Sequence, residues 1–288
     1  MTVNHLVVGS NPTSPAKLRG CSSPGRASDL HSEGSRFESC HLHHFNMKIA
    51  FFGDSFCASY GRDDTLAPQH ETYIKKLKLH YNAEIVHLGV SGSSIWDSIL
   101  LQFESVKHNL PDVCIFVWTD TARLFHRKIR NINYASALSN STRVVNQDIW
   151  QSARSYYEYL CDNEKEQLQY ISALYYFDQE VLAKLENTKI IHLWAYADFD
   201  FNNFDPFKLN NIEYLHRWKT GVEIRPSMIT VSMANVESKK LFADTRLNHL
   251  DGVEKNTLIF NWIKTAIDNY KQGTCLSFDE DVLNLRRN

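Results

Sequence analysis

Four short apolar runs, each cut off by small or polar residues, constrain the fold more than any other feature: KIAFF (48–52), AEIVHLG (83–89), VCIFVW (113–118) and TKIIHLWAY (188–196). Their lengths suit strands, and β-branched and aromatic residues dominate them. Helical periodicity fills the intervals. ETYIKKLKLHY (71–81) is one such segment. In SGSSIWDSILLQFESVKH, Ile95, Ile99, Phe103 and Val106 share one face behind serines able to cap a helix. DIWQSARSYYEYL and EKEQLQYISALYYFDQEVLAKL follow, and VEKNTLIFNWIKTAIDNY (253–270) closes the series. Short apolar strands alternating with helices predict an α/β fold whose central parallel sheet is covered on both faces. SMITVSM (227–233) reads as one further strand. Residues 47–272 are then one domain, with a helical insertion at about 125–186 and a C-terminal tail at 273–288.

The 288 residues carry 31 basic and 33 acidic side chains, a formal net charge of -2. That balance gives no electrostatic case for nucleic acid or an anionic membrane as partner. No stretch approaches the roughly 20 apolar residues that span a bilayer, and no apolar signal core opens the chain. A cytoplasmic location is expected. The six cysteines are scattered without a C-x-x-C pair, so neither zinc nor a disulfide framework is indicated and no cofactor is implied.

Residues 1–46 break the pattern, being rich in Ser, Pro, Gly, Arg and His. They read as a disordered leader or as translated non-coding sequence. The T-arm consensus of tRNA genes, GGTTCGAATCC, gives Gly-Ser-Asn-Pro in one frame, as at Gly9–Pro12. In another frame, with a flanking purine base, it gives Arg-Phe-Glu-Ser-Cys, as at Arg36–Cys40. The natural start is then expected at Met47. Tandem tRNA genes upstream would fit a bacteriophage genome, and a virion-associated protein. CHLHHF (40–45) has metal-like composition, which means nothing if the leader is not translated in nature.

In parallel sheets, ligands bind at the carboxyl ends of the strands. Gly53-Asp54-Ser55, Gly89–Ser93 and Thr119–Thr121 all follow predicted strand ends and should line one edge. A serine at such a turn serves equally as a helix N-cap or as an exposed nucleophile beside backbone N–H groups. Taken together, FFGDSF, HLGVSGSS, FVWTDTARL and ADTRLNHLDG resemble, in order and spacing, the four blocks of the SGNH (GDSL-type) hydrolases.

That resemblance implies a three-layer α/β/α flavodoxin-like fold and a serine esterase cleaving an O-acyl ester of a carbohydrate or lipid-like molecule. It implies Ser55 as nucleophile, His249 as general base, and backbone N–H groups of Ser55 and Gly92 as oxyanion donors. Two positions depart from the family pattern. Thr119 stands where the family has asparagine, so only a hydroxyl is offered as third donor. Arg246 occupies the position three before His249, leaving Asp244 as the nearest upstream acid to orient the imidazole; Asp251 or a Ser–His dyad are the alternatives.

Asp54, Asp120 and Arg123 are further candidates for contacting substrate. Arg123 would meet an anionic group, or else be a solvated helix start, and Asp120 would hold the third loop. Gly92 serves equally as relief of a tight turn. The aromatic run 156–177 is either a sugar cleft or core. Two alternatives to the esterase remain: an O-acyltransferase on the same fold, and a catalytically weakened binding or phage structural module.

Overall fold

The computed structural model describes residues 47–58, 72–121, 123–127, 132–133, 137, 147–196, 218–234, 250 and 252–287. In chain order the strands are β1 (Met47–Gly53), β2 (Ala83–His87), β3 (Val113–Trp118), β4 (Arg123–Leu124), β5 (Ile132–Asn133), β6 (Lys189–Trp194), β7 (Val222–Arg225) and β8 (Thr274–Ser277). Six form one sheet in the order β2-β1-β3-β6-β7-β8, every neighbouring pair parallel. The chain steps from β1 outward to β2, then returns past β1 to β3. That reversal is the switch point of a doubly wound sheet of flavodoxin-like order, here with a sixth strand. β4 and β5 make a separate antiparallel hairpin.

Successive side chains of a strand point to opposite faces, and here both faces are covered. Ile49, Phe51, Ile115, Val117, Leu193 and Ile224 pack against α1 (Tyr73–His80), α5 (Met228–Met233) and α6 (Gly252–Asp268). Ala50, Phe52, Cys114, Phe116, Trp118 and Trp194 face α2 and α4. Here α2 is the continuous run Ile95–Asp97, the π-helical Ser98–Phe103 and Glu104–Val106. Helix α4 runs Asn163–Tyr176, widens through the π-helical Phe177–Val181 and tightens to a 3-10 turn over Leu182–Lys184. The three-layer α/β/α architecture expected from the strand–helix rhythm is therefore present. The capping serine of α2 is Ser94, in a reciprocal capping box with Asp97.

Three expectations change. SMITVSM is not a strand. After Pro226, Ser227 stands as N-cap and Met228–Met233 closes as α5, with Met228 and Val231 buried. The segment read as a tail supplies the edge strand β8 and a last helix, α7 (Asp279–Arg287), whose Val282 enters the core. Most of α4 is a layer of the fold rather than an appendage: Tyr170, Ile171, Leu174, Phe177 and Leu182 are buried against the sheet. Helix α3 (Gln147–Tyr159) packs instead with the β4–β5 hairpin, through Ala153, Tyr157 and Ile132. Among the described residues no helix is long and apolar enough to cross a membrane.

Candidate active site

The carboxyl end of β1 is built around a glycine and a glutamine. Gly53 has φ +151°, and a Cβ there would lie 2.4 Å from the Val117 carbonyl oxygen of β3. The Gln102 side chain from α2 accepts from the Gly53 N–H at 2.9 Å and donates to the Gly53 carbonyl at 3.0 Å. The strand end is thus clamped on both its hydrogen-bonding groups. Asp54 then turns inward, its Oδ1 accepting from the Phe56 N–H at 3.1 Å and its carbonyl from the Cys57 N–H at 3.1 Å. This aspartate-headed turn leaves Ser55 half-buried between fully buried Asp54 and buried Phe56.

The second loop is fastened directly to the first. Val90 N–H donates to the Gly53 carbonyl at 2.9 Å, and Gly89 N–H to the Cys57 carbonyl at 3.0 Å. A Cβ on Gly89 would sit 2.5 Å from Cys57 Sγ, so glycine is required by close approach. Gly92 has φ +83°, within a turn closed by Ser93 N–H to the Val90 carbonyl.

The third loop joins through charge. Thr119 Oγ1 donates to Asp54 Oδ2 at 2.8 Å, and Arg123 Nη2 lies 3.1 Å from the same oxygen. Arg123 also donates through Nη1 to the Ser93 carbonyl and through Nη2 to Tyr196 Oη, each at 2.8 Å. Its guanidinium carbon sits 5.2 Å from the centre of the Tyr196 ring. The Arg123 side chain is only 6% exposed and that of Asp54 is 0% exposed. Arg123 Nε is buried with no hydrogen-bond partner among the described residues. Burial, reinforced by the Asp54 carboxylate, pushes the Cys57 thiol well above its ordinary value. A neutral thiol is a poor nucleophile.

A further chain of bonds ties the final long helix to the Ser55 loop. Tyr73 Oη donates to the Phe56 carbonyl at 2.9 Å, and its backbone N–H to Asn256 Oδ1 at 3.0 Å. Asn256 Nδ2 donates to the carbonyls of Gly252 and Leu250 at 2.9 and 3.5 Å. Asp244, Arg246, His249 and Asp251 lie outside the described residues, and His249 directly precedes Leu250 in the chain.

Of the residues singled out from sequence, Ser55, Gly92, Thr119, Asp54 and Arg123 meet at one sheet end, as expected for three strand-end loops. Asp120 follows as an exposed residue. Arg123 begins the hairpin strand β4, not a helix, and spends both terminal nitrogens on protein groups. In the aromatic run, Tyr157, Tyr170 and Phe177 are buried, whereas Tyr159, Tyr175 and Tyr176 are exposed. Gln102, Tyr73, Tyr196 and Asn256 were not anticipated. Tyr196 alone carried a signal, since it follows a strand end as the other loop residues do.

The chain matches no known protein family and no curated protein. Among solved structures it is similar to a "putative GDSL-like lipase" from Parabacteroides merdae, at 16% identity and a TM-score of 0.36, over 75% of this chain and 94% of that one. At that TM-score the likeness adds nothing to what the strand order establishes.

Proposed function

We propose that this protein is a serine ester hydrolase of SGNH type, acting on an O-acyl ester of a carbohydrate or lipid-like molecule through Ser55. One observation carries the reading. Ser55 is half-buried, two residues past the buried end of β1, at the switch point of the sheet, between loops hydrogen-bonded to each other. That is where an open α/β sheet binds its ligand.

In the reaction, Ser55 Oγ attacks the ester carbonyl carbon as its proton passes to His249. The tetrahedral oxyanion is met by the N–H groups of Ser55 and Gly92. Collapse expels the alcohol, which takes the proton back from His249, and leaves an acyl-enzyme that water hydrolyses by the same steps. Asp244 orients the imidazole. The hydroxyl proton of Thr119 is directed at Asp54, so the oxyanion depends on the two backbone donors. Loss of one oxyanion donor slows such reactions by about a hundredfold to a thousandfold, and modest turnover is expected.

The test pairs a fluorophosphonate probe with p-nitrophenyl acetate, for the native protein, Ser55→Ala and His249→Ala. Adduct mass on Ser55, and turnover falling by about a thousandfold or more in both variants, are expected. A native protein that takes no label and turns over ester no faster than Ser55→Ala would sink the reading and leave a binding module.

A further inference from the structure

We infer that the buried Asp54–Arg123 pair is the positioning element that sets the nucleophile against the oxyanion donor, an inference that rests on the function proposed above. Asp54 is one peptide bond from Ser55, so anchoring its carboxylate limits how far the Ser55 backbone can shift. Ser93 is one peptide bond from Gly92. The Arg123 guanidinium holds both neighbours at once: Nη2 lies 3.1 Å from Asp54 Oδ2, and Nη1 donates to the Ser93 carbonyl at 2.8 Å. A single rigid plane thus fixes the separation between the loop bearing the attacking hydroxyl and the loop bearing the second N–H donor.

The plane is itself held from three sides. Tyr196 Oη accepts from Nη2, and Thr119 shares the carboxylate oxygen. The hairpin that delivers Arg123 is braced by Tyr157, whose Oη accepts from the Leu124 N–H at 3.3 Å and donates to the Ile132 carbonyl at 2.8 Å. Arginine suits this task and lysine does not, because only the planar fork spans two acceptors in fixed geometry. Stability alone would not demand a buried pair, since apolar replacements of similar volume commonly stabilise as well. Asp54 and Arg123 are positioning residues, neither touching substrate.

The experiment compares the full chain with Arg123→Lys, Arg123→Met and the double variant Asp54→Asn/Arg123→Met. It reads the melting temperature, the rate of fluorophosphonate labelling at Ser55, kcat and KM, and hydrogen exchange in peptides covering 53–58 and 89–94. Arg123→Met alone should lower the melting temperature, and the double variant should regain much of the loss. Labelling and kcat in the double variant should stay about a hundredfold below native, the size expected from a small misplacement of reacting groups, with KM little changed. Arg123→Lys, the mildest change, should keep a near-native melting temperature and still label more slowly.

Recovery of native labelling together with the melting temperature in the double variant would overturn the inference. Should the native protein itself take no label, the proposed function fails, and hydrogen exchange alone decides this point. Faster exchange over 89–94 in the double variant, with α6 unchanged, upholds the pair as organiser of the two loops. Unchanged exchange overturns it.

Discussion

The carboxyl-end loops bury a charged pair, Asp54 and Arg123, whereas the aromatic face of the sheet buries a neutral imidazole, His192. Both are shielded from water, and their polar atoms, Arg123 Nε excepted, are answered in different ways. At the loops, Asp54 meets a cation, a hydroxyl and a backbone N–H, so its charge is compensated on the spot. In the core, His192 stacks 3.6 Å from Trp218, accepts from Trp118 Nε1 at 3.2 Å through Nδ1 and donates through Nε2 to the Thr220 carbonyl at 3.1 Å. Among the described residues no carboxylate joins it: Asp178 is spent on the Thr220 N–H and hydroxyl and the Lys219 N–H. Burial therefore lowers the His192 pKa from 6.5 to about 3, against a small opposing pull from the Thr220 carbonyl. The contrast is between a buried charge that ties separate loops together and a buried imidazole whose polar needs are met by neutral groups.

The comparison is broken most forcefully by stranding the charge. Arg123→Met leaves Asp54 in a fully buried site with only neutral donors. Removal of one member of a buried pair costs about 3–5 kcal/mol, and urea unfolding should show a loss of that order. A loss under about 1 kcal/mol would mean that water reaches Asp54 and that the two centres do not differ.

The neutral centre is broken by acid rather than by mutation. His192 has a folded pKa depressed below its unfolded value, so the unfolded chain binds the extra proton. Its contribution is complete above pH 6.5 and is lost as the pH falls toward about 3. The slope is about 1.4 kcal/mol per pH unit, or roughly 2–3 kcal/mol between pH 6.5 and 4.5. Denaturant unfolding across that range should give a shallower pH dependence for His192→Gln than for the native chain. Equal slopes would show that the imidazole is protonated in the folded protein.

The two centres were unequally legible in the sequence. Strands such as VCIFVW announce themselves because both faces are buried and every position is apolar. Strand β7, VEIR, does not: its two charged residues are accommodated because Glu223 accepts from Trp194 Nε1 and pairs with Arg225. A strand propensity for MITVSM is overridden because the turn at Pro226–Ser227 starts a helix whose buried face needs only Met228 and Val231. Ser55, Gly92 and Thr119 could be placed because strand ends of a parallel sheet share one edge. The partners of Arg123 could not. Ser93 contributes a carbonyl, which no residue identity encodes, and Tyr196 is brought beside it by the β3–β6 pairing across 73 residues of sequence. His192 looked like any strand residue.

Tyr170 joins the two centres, and its removal should have the smallest effect of the three. Its ring belongs to the aromatic face with Phe116, Trp118 and Phe177, while its hydroxyl donates to the Thr119 carbonyl at 2.7 Å, at the root of the third loop. Burial first, then the carboxylates of Asp120 and Asp54, push the phenol well above its ordinary pKa, so it remains a donor at any working pH. Tyr170→Phe keeps the ring and deletes one neutral hydrogen bond, a loss of about 1 kcal/mol. For a domain of this size that is a drop of about 2–4 °C in melting temperature. Since the Asp54–Arg123 contact is untouched, the labelling rate at Ser55 should change far less than in Arg123→Met. If Tyr170→Phe instead slowed labelling as much as Arg123→Met, the third loop would be held from the aromatic face and not by charge. The distinction between the two centres would then collapse into one continuous network.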